Sequence, residues 1–246
     1  MARILVPLPD SDFDTTEVSV PWHLLRAEGH ELVFATETGA RPACDRRLLD
    51  GVIFGQLGAD ETAKQLYAVL ERDAAFLAPI TWSSIMPGEY DALLLAGGHA
   101  PGMRQYLGSS LLQERIAAFW ALERPVGAIC HGVLVLARAK DPRTGRSVLA
   151  DVRTTCLPKY MERTAYFLTS WRLGSYYRTY PAYVEDEVRA ALTDAQQFER
   201  GPRVLTARGT QADDGPAFIV DDGRYVSARW PGDAWLFGKA LAAKLR

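Results

Sequence analysis

The stretch Gly127-Ala128-Ile129-Cys130-His131-Gly132 decides the fold of this chain. It ends an apolar run over 125–130 and leads straight into a helical pattern over 131–138. A strand that turns this sharply into a helix is typical of a nucleophile elbow, with cysteine here in the position that related hydrolases give to serine. The stretch therefore predicts a parallel sheet with a reactive side chain, Cys130, at the carboxyl end of one strand.

Apolar runs and helical patterns alternate on both sides of this elbow, which predicts an α/β fold. The single domain over 1–246 is expected to be flavodoxin-like, with a doubly wound, mostly parallel sheet sandwiched by helices and a C-terminal β-hairpin. The predicted strands are 3–6, 31–35, 91–96, 125–130, a run near 153–156, 204–206, and the hairpin pair 217–220 and 225–228. The predicted helices are 15–28, 60–77, 110–123, 131–138, 184–192 and 233–245.

The segment 160–183 fits this alternation least well. It is rich in aromatic residues, among them Tyr166, Phe167, Trp171 and Tyr177. We interpret it as an aromatic-rich insertion beside the sheet. Such side chains pack in a core or a dimer interface, or they form an exposed apolar patch.

Composition narrows the class of protein. A hydrophobic content of 48% is ordinary for a globular domain, and a formal net charge of −2 supplies no basic field for nucleic acid or an anionic membrane. No apolar run approaches the ~20 residues that span a bilayer, and the first residues lack the apolar core of a signal peptide. We therefore expect a cytoplasmic protein with no nucleic-acid or membrane partner.

The three cysteines are widely spaced and include no Cys-x-x-Cys pair, so free thiols are expected. At the elbow, the backbone amides of the following helix would stabilise a thiolate, and Cys130 is therefore predicted to be a reactive anion. Cys44 and Cys156 lack this context and are interpreted as buried structural residues. The histidines His23, His30 and His99 are scattered, so neither a metal site nor a cofactor is predicted.

Further polar residues follow the other predicted strands. His131 is a candidate general base for Cys130, or the cationic partner of its thiolate. Gly97 and Gly98 follow the strand 91–96, where their amides could form an oxyanion hole, and His99 could line the same pocket. Glu17 lies in the first turn of the first predicted helix, where the dipole favours a carboxylate whether or not it takes part in chemistry.

At these residues the sequence resembles the ThiJ/PfpI superfamily, which is related to class I glutamine amidotransferase domains. It is most similar to the branch that contains heat-shock chaperones and glyoxalase III enzymes. The blocks that carry this resemblance are Glu17-Val-Ser-Val-Pro21, Thr36-Glu-Thr-Gly39, Ala96-Gly-Gly-His99, Ala128-Ile-Cys-His-Gly132, Thr144-Gly-Arg146 and Asp222-Gly-Arg224. The chain departs from the branch at Ala100 and Val133, which replace a glycine and a proline beside the predicted pocket.

The resemblance implies a Cys-His-acid triad. Cys130 and His131 match its first two members, and Glu162, which is 31 residues beyond the histidine, matches the spacing of the acid. Glu17 corresponds to the carboxyl that hydrogen-bonds the nucleophilic sulfur, and it would have to be protonated to do so.

The implied function is a cysteine-dependent, glyoxalase III-like conversion of a 2-oxoaldehyde into a 2-hydroxy acid. An amidase or peptidase acting on a small amide substrate, a stress-response holdase and a redox sensor remain alternatives on the same fold. The resemblance implies no cofactor, and it is compatible with a homodimer.

Overall fold

The structure, a computed structural model, describes residues 1–52, 58–178, 180–204 and 206–246. Its strands are β1 (Arg3–Pro7), β2 (Ser11–Phe13), β3 (Glu31–Thr36), β4 (Ala43–Cys44), β5 (Ile80–Thr81), β6 (Ala92–Leu95), β7 (Val126–Ile129), β8 (Ile219–Asp222) and β9 (Tyr225–Ala228). Its α-helices are α1 (Thr15–Ala27), α2 (Arg46–Asp50), α3 (Glu61–Leu70), α4 (Ala74–Leu77), α5 (Met103–Gly108), α6 (Ser110–Trp120), α7 (Val133–Arg138), α8 (Lys159–Leu173), α9 (Val184–Ala191) and α10 (Ala234–Ala243).

Seven of these strands form one sheet in the order β5-β3-β1-β6-β7-β9-β8. All neighbours are parallel except β8, which pairs antiparallel with β9 at the edge. Every residue of the inner strands β6 and β7 is buried, as expected for a parallel sheet that is covered on both faces. The predicted α/β, doubly wound, mostly parallel fold and its C-terminal hairpin are confirmed.

Two groups of helices enclose this sheet. In one group α1 packs against α3 and α10, and in the other α7 packs against α5, α6 and α9. Helix α10 lies directly over β7, because a Cβ on Gly127 would be 2.9 Å from the Phe237 ring and 3.0 Å from Leu241. The elbow at the end of β7 is therefore held between the sheet and its helices.

Several predicted elements differ from the structure. The helix predicted over 60–77 is divided into α3 and α4, because Asp73 interrupts it and caps α4 by accepting a 2.9 Å hydrogen bond from the Ala75 amide. The strand predicted near 153–156 is reduced to one bridge between Thr154 and Phe198. Of the strand predicted over 204–206, residue 205 lies outside the described residues, and its two neighbours belong to no strand.

The segment interpreted as an insertion is mostly one helix, α8. Its interior face buries Glu162 and Thr169, whereas Phe167, Leu168 and Trp171 are exposed. Across the described ranges, none of the helices has the length and hydropathy to cross a membrane.

Gly132 packs against the end of β6 and its following residue, and substitution of this glycine tests the fold. A Cβ there would lie 2.7 Å from the carbonyl oxygen of Ala96 and against that of Leu95. These are backbone atoms that cannot rotate away, so Gly132→Ala is expected to lower the free energy of unfolding by about 1–3 kcal/mol. Chemical denaturation measures this loss.

The matched control for that substitution is Gly88→Ala, because no atom lies within 4 Å of a Cβ at Gly88. We expect the control to unfold like the wild type. Equal stability of the two variants would contradict the close fit of the elbow against β6.

Candidate active site

Cys130 begins a 3-10 turn over Cys130–Gly132 that joins β7 to α7. Its φ is +57°, in the left-handed region that costs a non-glycine residue about 1–2 kcal/mol. This conformation places the Cβ of Cys130 beside Gly97. A Cβ built on Gly97 would lie 2.9 Å from the Cβ of Cys130. The sharp turn predicted from the sequence is present.

His131 lies beside the thiol. Its Nδ1 is 3.5 Å from Sγ of Cys130, and the side chain is buried. Burial lowers the pKa of His131 well below its usual range, and His99 and Arg138 lower it further. The imidazole is therefore neutral at neutral pH and able to accept a proton.

Glu17 approaches the thiol from the first turn of α1. Its Oε2 accepts a 2.8 Å hydrogen bond from the Gly97 amide, and its Oε1 makes no hydrogen bond of standard geometry although it is buried. Burial raises the pKa of Glu17 well above its usual range, and the nearby Asp14 raises it further, whereas the hydrogen bonds to the Gly97 amide and the Cys130 side chain lower it. The neutral acid is favoured, which agrees with the protonated carboxyl that the resemblance implies.

Asp14 belongs to the same junction, and sequence reasoning missed it. It caps α1 by accepting hydrogen bonds of 2.8 and 3.0 Å from the amides of Thr16 and Glu17, and its own amide donates to the Gly97 carbonyl. Burial raises the pKa of Asp14 to about 6. The signal that could have found it is an aspartate at the N-cap position, three residues before Glu17.

The surroundings of Cys130 do not favour the resting thiolate that is expected from the sequence. Burial raises the pKa of the Cys130 thiol well above its usual range, and the carboxyls of Glu17 and Asp14 raise it further, although the backbone N–H of His131 partly offsets the rise. The backbone amides at the elbow favour a thiolate, but the loss of water around a side chain with no exposed surface outweighs them. Both pKa shifts favour a neutral thiol beside a neutral imidazole at rest.

The two glycines after β6 have different roles. The Gly97 amide is used by Glu17, so the expectation that it donates to an oxyanion is not met. The absence of a side chain at Gly97 matters more. A Cβ there would be 2.7 Å from the backbone nitrogen of His131 and 2.9 Å from Oε2 of Glu17. The Gly98 amide has no acceptor in the part of the chain that the structure describes, so it remains a candidate donor.

His99 joins the pair, as its position after the double glycine suggested. Its ring centroid is 4.7 Å from that of His131 and 5.8 Å from that of Tyr177, whose hydroxyl donates to Asp45 at 3.3 Å. Burial lowers the pKa of His99 to about 4. Tyr177 comes from the aromatic segment whose role the sequence left open.

The same histidine creates a candidate metal-ligand set that the sequence did not predict. The donor atoms of His99, Cys130 and His131 lie within 4.8 Å of one another. Two imidazoles and a thiolate are ligands that suit Zn²⁺. Spacing along the chain could not reveal this set, because the sheet brings together the ends of β6 and β7.

Glu162, the expected triad acid, lies elsewhere. Its Oε2 accepts a 3.0 Å hydrogen bond from the Val184 amide, and its Oε1 is 3.9 Å from Arg178. Among the described residues no carboxylate hydrogen-bonds to His131, so the structure does not bring Glu162 to the pair. Its buried position at the start of α8 instead ties this helix to α9.

A cavity of about 340 Å³ lies beside the site. His99, Asp14, Thr16 and Tyr177 line it, whereas Cys130 and His131 do not. The sulfur is therefore separated from the cavity, and the open thiol expected from the sequence is not observed. His99 lines the cavity and is in ring contact with His131.

Comparisons with known proteins agree with this architecture. Residues 8–202 match the sequence profile described as ThiJ/PfpI family-like. An uncharacterized protein of Schizosaccharomyces pombe is 27% identical over 97% of this chain and 82% of its own length, and a deglycase of Pyrococcus abyssi is 28% identical over 95% of each chain. The crystal structure of glyoxalase III from Candida albicans is similar in fold, with a TM-score of 0.69 at 19% identity over 99% of this chain and 97% of its own.

The neutral state of the thiol generates the first prediction from the site. Because burial and two carboxyls raise the pKa of Cys130, its thiolate is expected to form only above pH 9. The measurement is the ultraviolet thiolate absorbance of the wild type minus that of Cys130→Ser, titrated from pH 5 to 11. A difference signal that titrates below pH 7 would show a poised thiolate.

The second prediction concerns Glu162. Burial raises its folded-state pKa to about 7, so the unfolded chain releases this proton at lower pH than the folded chain does. The group's contribution to stability is complete below its unfolded pKa and is lost as pH rises towards 7, by about 1.4 kcal/mol per pH unit and about 3 kcal/mol in total.

Glu162→Gln removes this titration, so the stability of the variant relative to the wild type should rise between pH 4.5 and 7.5. Chemical denaturation at several pH values measures the difference. Parallel curves for the two proteins would contradict the buried, protonated carboxyl.

Proposed function

Because the chain belongs to the ThiJ/PfpI-like family, we propose that it is a cysteine-dependent enzyme that acts on small carbonyl compounds and converts a 2-oxoaldehyde into a 2-hydroxy acid. The observation that carries this proposal is the 3.5 Å approach of His131 Nδ1 to Cys130 Sγ at a left-handed elbow. The names glyoxalase III and deglycase, which two similar proteins bear, support the same class of chemistry.

The first step is addition of the Cys130 sulfur to the aldehyde carbon, which forms a hemithioacetal. The thiol proton passes to Nδ1 of His131 as the carbon–sulfur bond forms, since the two groups are neutral at rest. The oxygen gains negative charge, and the amides of Gly98 and His131 are the donors proposed to stabilise it. For this step a substrate has to reach the sulfur past His99.

The second step is an internal redox isomerisation, in which the former aldehyde carbon is oxidised and the neighbouring ketone carbon is reduced. His131 first gives the thiol proton to the hemithioacetal oxygen, which becomes a hydroxyl. The former aldehyde carbon then loses its C–H proton to the neighbouring ketone carbon, and the hemithioacetal hydroxyl loses its proton to the ketone oxygen, so the first carbon becomes a thioester carbonyl and the second an alcohol. His131 is positioned to carry the C–H proton between the two carbons. Water then cleaves the thioester, with its hydroxyl going to the acyl carbon and its proton to sulfur. One oxoaldehyde and one water give one 2-hydroxy acid, and no external oxidant is consumed.

Hydrolysis of an amide or peptide by the same cysteine is a weaker candidate. Departure of an amine requires a protonated imidazole, which triad enzymes stabilise with a carboxylate. In the described part of the chain His131 has no such hydrogen bond, and burial lowers its pKa. Addition to an aldehyde needs the proton only to pass through the imidazole from sulfur to the hemithioacetal oxygen, so it leaves no lasting imidazolium and suits this environment better.

The proposal predicts that Cys130→Ser folds normally but loses methylglyoxal turnover by a factor on the order of 10³ or more, because the hydroxyl is a far weaker nucleophile. Turnover is measured as 2-hydroxy acid formed, and folding by chemical denaturation. Glu162→Gln is the matched control: it alters a buried acid that does not contact His131, so we expect it to retain turnover. Wild-type turnover by Cys130→Ser would overturn the proposal.

A further inference from the structure

The cavity beside His99 is larger than a three-carbon oxoaldehyde requires. Its volume of about 340 Å³ lies within the range of about 300–1,000 Å³ that is typical of sites for drug-sized ligands. Methylglyoxal would leave most of this volume unfilled. The size therefore points to a substrate with a larger body.

Several of the polar side chains that line the cavity are connected to Cys130 and His131 directly or through one another. Asp14 caps the helix that carries Glu17, His99 contacts the ring of His131, and Tyr177 contacts the ring of His99. Arg208 interacts electrostatically with Asp14. The contacts of Asp14, His99 and Tyr177 place these three side chains on the side of the cavity nearest Cys130, where a dicarbonyl head would be held.

Apart from Thr16, Thr164 and Thr206, the remaining lining is apolar. Leu48 of α2, Leu157 and Trp230 contribute to it from separate parts of the chain. Helix α8 adds Met161, Ala165 and Leu168, which are spaced at four and three residues and so share one face of the helix. The cavity thus has a polar end and an apolar body.

The apolar wall continues from the cavity to the surface along α8. Leu168 lines the cavity and is nevertheless 51% exposed, and its neighbours Phe167 and Trp171 on the same helix are 62% and 73% exposed. Apolar side chains at the opening lower the cost of bringing an apolar ligand in from water. The predicted insertion therefore supplies a wall and an entrance of the candidate site.

We propose that the substrate of this site is a 2-oxoaldehyde with an apolar alkyl or aryl body of several carbons, held with its dicarbonyl head at His99 and its body against Met161, Ala165 and Leu168. This inference rests on the proposed function for the reaction, but it concerns which substrate the site prefers. Each methylene that enters the apolar body gains about 0.8 kcal/mol, which corresponds to about a fourfold increase in kcat/KM.

The test is a homologous series of alkylglyoxals, from methylglyoxal to hexylglyoxal, with kcat/KM measured for each. The wild type should gain about fourfold per methylene until the cavity is filled. Ala165→Phe places a ring in the apolar body, so the ratio of kcat/KM for hexylglyoxal to that for methylglyoxal should fall by at least about tenfold. Ala121→Phe, at an exposed position after α6, is the matched control and should keep the wild-type ratio.

A binding measurement separates this inference from the proposed function. Unreactive 2-alkanones of increasing chain length are titrated into the Cys130→Ala variant, and the dissociation constant should fall about fourfold per methylene. A gradient in binding without turnover of any oxoaldehyde would contradict the proposed reaction alone. Turnover of methylglyoxal with no gradient in either series, or an unchanged ratio in Ala165→Phe, would overturn the preference for an apolar body.

Discussion

The absence of a side chain at Gly97 is the constraint on which the candidate site depends. Three atoms lie close to the position that a Cβ of Gly97 would occupy: the backbone nitrogen of His131, the Cβ of Cys130 and Oε2 of Glu17. The backbone of Gly97 also holds α1 in place, because its amide donates to Glu17 and its carbonyl accepts from the amide of Asp14. The ends of β6 and β7 and the start of α1 therefore meet at one residue that must remain small.

Burial at this junction sets the chemistry. Thiol, imidazole and carboxyl lie close together without exposed surface, and burial shifts the pKa of Cys130 and Glu17 upwards and that of His131 downwards. All three shifts favour the uncharged form, since an ion without water is costly there. A nucleophile of this kind is activated by proton transfer to the adjacent imidazole during attack. It would be protected from adventitious alkylation at rest, and only a ligand that enters past His99 would reach it.

The sequence predicted what local patterns determine. The apolar runs and the elbow motif gave the sheet, the hairpin and the meeting of Cys130 with His131, because strand ends in a parallel sheet share one edge. It did not predict quantities that depend on the packed environment, such as the high pKa of the thiol. A spacing of 31 residues could not show that Glu162 caps the amide of Val184, and spacing also could not show that His99 would contact His131. The sequence showed that the segment over 160–183 is rich in aromatic residues. Only the structure shows that most of it is the helix α8 and that this helix forms a wall of the cavity.

The central claim is that the sulfur of Cys130, although buried at rest, is the atom that forms a bond with the substrate. The most direct measurement is acid quenching of the protein during turnover of a 2-oxoaldehyde, followed by peptide mapping by mass spectrometry. The account predicts a substrate-derived acyl adduct on the peptide that contains Cys130, with none on the peptides of Cys44 and Cys156, which are also buried free thiols. An adduct spread over all three cysteines, or turnover with no adduct on Cys130, would contradict it.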